Sequence, residues 1–236
     1  MADEAAKSRR FCRTPLVYCI LAGIAYCILM AFDGCDFIPG VLFGGEAYLH
    51  DGTLHSMVLI QLPVIANLLI LDWPMHRFAA SSIVSRYRTR LCWSRAFLLS
   101  ATRTAAVIYL VQYGILAAAS ALQGKPFTGW NVMVLPTLAC NIGALVVCYC
   151  YIFIAEKSIS RASCFFLFIA VLFIVGLLPE GSLWSGLRLA LPISYFHFEL
   201  MNSVCRGEAV LSGMMIHLGL AALFFTLQAR RINFIK

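Results

Sequence analysis

The sequence predicts an all-α polytopic membrane protein with six transmembrane helices and both termini in the cytoplasm. Hydrophobic residues make up 61% of the 236 residues and charged residues only 12%, whereas about a quarter of the residues in a soluble domain are charged. The apolar residues also form long runs, and a helix needs about 20 of them to cross a hydrocarbon core. Residues 1–236 are therefore interpreted as a single transmembrane domain.

Six apolar runs reach or approach the length of a membrane span. They cover residues 15–32, 56–73, 104–122, 131–154, 164–179 and 209–228. The first run is followed by a polar loop and not by a small-residue cleavage site, so we interpret it as a retained span. Pro63 and Pro136 are expected to interrupt the second and fourth runs.

The distribution of basic residues predicts the orientation of these spans. With both termini inside, 15 lysines and arginines lie on the cytoplasmic side and only Lys125, Arg188 and Arg206 lie outside. Such a bias is typical of cytoplasmic loops. It predicts a multi-pass protein of the plasma membrane, which in a bacterium is the cytoplasmic membrane. The net charge of +7 then reflects topology and anionic lipid headgroups, so no nucleic-acid partner is expected.

The loop between the second and third spans, Pro74–Arg103, contains no acidic residue and six arginines: Arg77, Arg86, Arg88, Arg90, Arg95 and Arg103. Ile83, Tyr87 and Leu91 repeat at helical spacing beside an arginine stripe, which predicts an amphipathic interfacial helix over Ile83–Arg95. Its arginines either meet lipid headgroups only or dock a soluble partner. A length of about 30 residues favours docking, because long loops in compact domains tend to be functional.

Leu183–Leu200 is long enough to span the membrane but contains Arg188, Pro192, His197 and Glu199. A charge at mid-bilayer costs about 2.5–3.5 kcal/mol on insertion scales, and a seventh span would place the basic C-terminus outside. We therefore expect an outer re-entrant element between the fifth and sixth spans. Cys35 and Cys205 are the only cysteines in predicted outer loops, so they are the one pair that could form a disulfide.

Polar residues inside the spans are candidates for function or for helix packing. Asn67, Asn141 and His217 are the intramembrane polar candidates, and interhelical hydrogen bonding is the favoured interpretation for them, as it is for Gln61 and Gln112. In the outer loop, Glu46, His50 and His55 offer metal-ligand chemistry, although outer loops are normally polar, and no metal or other cofactor is expected.

No P-loop is present, because Gly124-Lys125-Pro126 lacks the upstream glycine and the following Ser or Thr. Neither a glycine-flanked serine nor a zinc-protease helix motif occurs. The chain is therefore not expected to be an enzyme, and any nucleotide-driven activity is expected to come from a partner.

The segment Ser85–Trp93, followed by Arg95 and a span containing Ile108-Tyr109, is similar to the basic inner loop of ABC-2-type permeases of the small lantibiotic or bacitracin type. The resemblance implies an exporter or immunity-type permease that pairs with a second, identical or sister, permease subunit and with a separate ATPase. It also implies an N-terminal interfacial segment at Arg9, Arg10 and Arg13, and an ATPase-docking region, whose residues are Arg86, Tyr87, Arg88, Arg90, Trp93 and Arg95.

Two other classes of function remain open at this point. One is a non-catalytic membrane partner or a secondary carrier, although no carboxylate lies near a span midplane as an ion ligand. The other is a membrane-embedded enzyme using His217, or the outer groups Glu46, His50 and His55 with His197 and Glu199. The substrate and the direction of transport do not follow from the sequence.

Overall fold

Every regular element in the described part of the chain is helical. The computed structural model describes residues 17–18, 20–25, 54–78, 87, 89–122, 135–156, 158–176, 186–187, 189–196 and 207–229. Its elements are α1 (Leu54–Phe78), α2 (Arg90–Leu122), α3 (Leu135–Ala155), α4 (Arg161–Gly176), a 3-10 helix (Pro192–Phe196) and α5 (Gly207–Ala229). Residues 20–25 are helical as well.

Three of the described helices are long and apolar enough to cross a membrane. They are Arg90–Ala119, Leu135–Ala155 and Ala209–Leu227, with mean hydropathies of 1.2, 2.2 and 2.0. The described part of α4, Arg161–Val175, is apolar but shorter. These helices carry large exposed apolar side chains such as Leu110, Phe166 and Met215, as expected of surfaces that face lipid tails.

Consecutive helices run antiparallel, as two sets of contacts at one end of the bundle show. Asp72 near the end of α1 pairs with Arg161 at the start of α4. Phe97 near the start of α2 stacks on Phe225 near the end of α5 and contacts Phe153 near the end of α3. The ends of α1, α3 and α5 therefore meet the starts of α2 and α4, and we call this the ionic end of the bundle.

Helix α3 forms the centre of the bundle. It contacts α1, α2, α4, α5 and the 3-10 helix, and 61% of its apolar window is buried, against 22% for α5. Small residues such as Gly143 and Ala144 let its neighbours approach closely. Pro136 lies in the first turn of α3, where proline is tolerated, and Pro63 lies inside α1, which continues through it as one helix. Within the described residues, neither proline interrupts its helix as expected.

The structure places the start of α2 differently from the sequence-based prediction. Of the predicted interfacial helix over Ile83–Arg95, the described residues are helical from Arg90 onward, whereas Tyr87 and Thr89 lie in bends. The other residues of its first part lie outside the described ranges. Thr89 caps the helix, because its Oγ1 accepts the backbone N–H of Cys92 at 3.1 Å. From there α2 continues for 33 residues, about 50 Å, which exceeds a hydrocarbon core of about 30 Å.

Candidate functional site

The first turns of α2 present two different faces at the ionic end. Cys92 and Arg95 are exposed, and 47% of Leu91 is exposed beside them. On the opposite face, Trp93 and Phe97 are completely buried. One short piece of helix therefore has an outward face available to a partner and an inward face fixed in the bundle.

The burial of Trp93 corrects its predicted role in docking. Its ring stacks on Phe225 with centroids 5.6 Å apart and lies 6.3 Å from Phe153, so it is enclosed by α3 and α5. Phe97 completes this aromatic cluster at 4.5 Å from Phe225. Trp93 and Phe97 are four residues apart and so share a helix face, which is the sequence signal for a core pair.

The other predicted docking residues differ in their surroundings. Tyr87 is half-buried and packs against the core, and Arg90 is also half-buried, whereas Arg95 is exposed. Arg86 and Arg88 lie outside the described residues. Of the predicted set within the described ranges, Arg95 is thus the residue most open to a partner.

A cluster of charged side chains joins α1, α3 and α4 at the ionic end. Arg161 donates from Nη2 to Asp72 Oδ1 and forms an ion pair with Glu156, with 3.0 Å between its Nε and Oε1 of the carboxylate. Its Nη1 also hydrogen-bonds His76 Nδ1, which must accept and therefore carries no proton there. Burial acts to lower the pKa of Arg161, but the hydrogen bond and charge of Asp72, with the charge of Glu156, raise it overall. Arg161 thus remains the cation that holds the cluster.

Asp72 takes its partner from a distant part of the chain. It pairs with Arg161, which follows α3. The two residues are 89 positions apart in sequence, so neither helical spacing nor loop length could indicate the pair. Arg161 lies in a predicted cytoplasmic loop, and Asp72 lies at the end of the second predicted span next to the first inner loop.

Buried amides connect the helices farther inside the bundle. Asn67 and Gln112 exchange two hydrogen bonds between α1 and α2, of 3.0 and 2.5 Å. Asn141 donates to the Tyr113 hydroxyl at 2.9 Å, joining α3 to α2, and Gln61 donates to the Leu172 carbonyl at 3.3 Å. These contacts are the interhelical hydrogen bonds that the sequence analysis favoured.

His217 holds the segment of residues 189–196, which contains the 3-10 helix and is called the irregular segment below, against α5. Its Nε2 donates to the Leu189 carbonyl oxygen at 2.9 Å, and the Tyr195 hydroxyl donates to the same carbonyl at 3.0 Å. The Tyr195 and His217 rings meet edge-on with centroids 5.5 Å apart. Its other ring nitrogen, Nδ1, is buried without a hydrogen-bond partner among the described residues. His217 is thus a packing residue by its contacts.

Several predicted groups fall outside the part of the chain that the structure describes. They are Glu46, His50, His197, Glu199, the side chain of His55, and the cysteines Cys35 and Cys205. Within the described ranges, no group of three or more His, Cys, Asp or Glu side chains is arranged to hold a metal ion.

No protein-family model matches this chain, and neither a curated protein nor a solved structure is detectably similar to it. Similarity therefore assigns it neither a family nor an activity. Its function has to be inferred from the geometry at the ionic end and from the pattern of charge in the sequence.

Proposed function

We propose that this chain is the transmembrane subunit of an ATP-driven exporter or immunity-type transporter of the ABC-2 type. In this proposal six spans cross the plasma membrane, both termini are cytoplasmic, and a separate ATPase docks at the ionic end. A second permease subunit, identical or related, completes the transporter. The observation that carries the proposal is the two-faced start of α2, where Arg95 is exposed while Trp93 is buried.

The two faces suit a helix that receives force from a soluble partner. An ATPase that contacts Leu91, Cys92 and Arg95 would move the same backbone that carries Trp93 and Phe97. Those rings contact α3 and α5, so a displacement of the helix start is passed to two other helices. Trp93 thus transmits the movement in this proposal, and Arg95 receives it.

The ion cluster supplies a further element of the mechanism. Arg161 links α1 to the connection between α3 and α4 through Asp72 and Glu156, so these elements are held together at the same end of the bundle as the docking face. The six arginines of Pro74–Arg103 agree with the assignment of this end to the cytoplasm, because basic residues concentrate in cytoplasmic loops. The chain's lack of a P-loop is consistent with hydrolysis in a partner.

The experiment is copurification of the chain with its ATPase, identified by mass spectrometry, followed by measurement of ATPase turnover in lipid nanodiscs. The chain is expected to stimulate the turnover of its ATPase. Arg95→Glu should abolish this stimulation, because it reverses the charge of an exposed docking residue without removing a buried contact. Arg188→Glu is the matched control, since it makes the same change in a predicted outer loop. Trp93→Ala should also uncouple turnover but, unlike Arg95→Glu, should destabilise the chain by about 3–5 kcal/mol.

Two results would contradict the proposal. One is the absence of any nucleotide-hydrolysing subunit among the copurified proteins. The other is stimulated turnover that is equal in the wild type, Arg95→Glu and Arg188→Glu, which would show that the start of α2 is not a docking surface. Retained binding with lost stimulation in Trp93→Phe would support its transmitting role.

A further inference from the structure

An apolar groove lies between α3, α4 and the start of the 3-10 helix. Its volume is about 230 Å³. Ile152, Phe168 and Val171 form its walls, Ala155 and Ile159 lie at one end, and Leu191–Ile193 form the other. None of these side chains is charged or amide-bearing, so the groove offers a polar solute almost nothing to bind.

The groove is open to the same surface that faces lipid. Leu167 and Ile159 line it and are 58% and 43% exposed, and the adjoining Phe166 on α4 is 76% exposed. Its interior is therefore continuous with the apolar outer face of α4. Water gains no hydrogen bonds in such a space and leaves apolar cavities dry, whereas close packing favours an apolar chain that fills it.

The position of the groove selects one leaflet. Ala155 and Ile159 are at the ionic end, beside Glu156 and Arg161, and the exposed residues 158–160 lie where a headgroup would sit. From there the groove runs to Leu191–Ile193, which belong to the segment that His217 holds against α5. A chain entering from this side would therefore reach the middle of the bundle.

We propose that this groove binds one acyl chain of a phospholipid from the leaflet at the ionic end. The chain lies along Ile152, Phe168 and Val171, and its tip contacts Pro192. This lipid fixes the irregular segment from the side opposite to His217. Lipid binding in this groove requires that the chain lies in a membrane but not that an ATPase binds it. A failed test of the groove therefore leaves the proposed transport function unaffected, and the reverse also holds.

The test uses the purified full-length chain in nanodiscs of phosphatidylcholine that carry a photoactivatable diazirine midway along one acyl chain. After illumination, mass spectrometry maps the adducts. Adducts on Ile152, Phe168 and Val171 should exceed those on Phe166 and Ile174, which meet freely exchanging lipid. Ala155→Phe should lower the groove adducts roughly tenfold, because its ring displaces about two methylene groups of the bound chain.

Ala170→Phe is the matched control, since it adds the same ring on the exposed face of α4 and should leave the groove adducts unchanged. Val171→Phe closes the groove from α4 and serves if Ala155→Phe fails to elute as a single species. Adducts spread evenly over groove and exposed residues, or unchanged in both filling variants, would overturn the proposal.

Discussion

Tyr195 and Gly213 show how closely the irregular segment is fitted to α5. Tyr195 is completely buried, and its hydroxyl donates to the Leu189 carbonyl. A Cβ added at Gly213 would overlap that hydroxyl and would lie 3.3 Å from the Cζ atom of the ring. Since the ring is rigid and enclosed, it cannot move aside cheaply. Gly213 is therefore required by the position of Tyr195.

Gly213→Ala should lower the stability of the chain by about 1–3 kcal/mol, the usual effect of overpacking a well-packed interior. Thermal unfolding in detergent micelles, followed by circular dichroism, measures it. Gly219→Ala on the same helix is the control, because nothing lies within 4 Å of its added Cβ. Gly143→Ala should fall between the two, since it meets the flexible side chain of Met214.

The variants are expected in the order of decreasing stability Gly219→Ala, Gly143→Ala, Gly213→Ala. Any other order would contradict this account of the packing. Partial recovery of Gly213→Ala by the second change Tyr195→Phe would identify the hydroxyl as the atom responsible.

At the scale of helices, the link between α1 and α4 depends on one cation shared by two carboxylates. The side chains of Arg161, Asp72 and Glu156 are 29%, 18% and 21% exposed, so solvent screens them only partly. Removing Arg161 leaves two carboxylates close together without a counter-charge. Removing Asp72 leaves Arg161 still paired with Glu156. The two changes should therefore differ in effect.

Arg161→Gln should destabilise the chain more than Asp72→Asn does. A double-mutant cycle of the two changes should give a coupling of about 1 kcal/mol, above the value for most exposed pairs. Denaturant titration in mixed micelles measures each variant, with Arg103→Gln, an exposed arginine of α2, as the control. Equal effects of Arg161→Gln and Asp72→Asn would show that Glu156 contributes nothing to the cluster.

The described helices show which boundaries an apolar run can predict. The runs at 131–154 and 209–228 correspond to α3 and α5 within a few residues, because hydropathy changes sharply at their ends. The run at 104–122 misses the first turns of α2, since Arg95 and Arg103 lower the local hydropathy while still permitting a helix. The same runs do not show on which side a helix buries its residues. Trp93 was expected at the docking surface because of the resemblance to ABC-2-type permeases, and that resemblance does not predict its burial.

The site was predictable only to a limited extent, for a similar reason. Residue type identified Asn67, Asn141 and His217 as hydrogen-bonding groups inside the spans. Their partners depend on how each helix is rotated about its axis, which a single sequence does not encode locally. The pairing of Asp72 with Arg161 and the shared use of the Leu189 carbonyl both arise from such rotations.

At the scale of the whole molecule, the ionic end is expected to face the cytoplasm. Cys92 gives a direct test, because its thiol is exposed whereas the other described cysteines, Cys140, Cys148, Cys150 and Cys164, are buried. In a variant with Cys12, Cys19, Cys27, Cys35 and Cys205 replaced by serine, a membrane-impermeant maleimide should label inside-out vesicles and spare intact cells. Cys92→Ser in the same background is the control.

Labelling of Cys92 in intact cells but not in inside-out vesicles would place the ionic end outside and would overturn both the orientation and the docking proposal. Labelling of both preparations to the same extent would indicate leaky membranes, which labelling of an enclosed cytoplasmic protein reveals.

Helix α2 has a mechanical consequence, because it continues from Arg90 to Leu122 without a proline. At 1.5 Å per residue its two ends lie about 50 Å apart. The aromatic cluster at Trp93 and Phe97 joins it to α3 and α5 near its start, and Gln112 and Tyr113 join it to α1 and α3 farther along. A displacement at its start that moves the helix as a rigid rod would therefore move all these neighbours with it and reach Leu122 at the opposite end of the bundle.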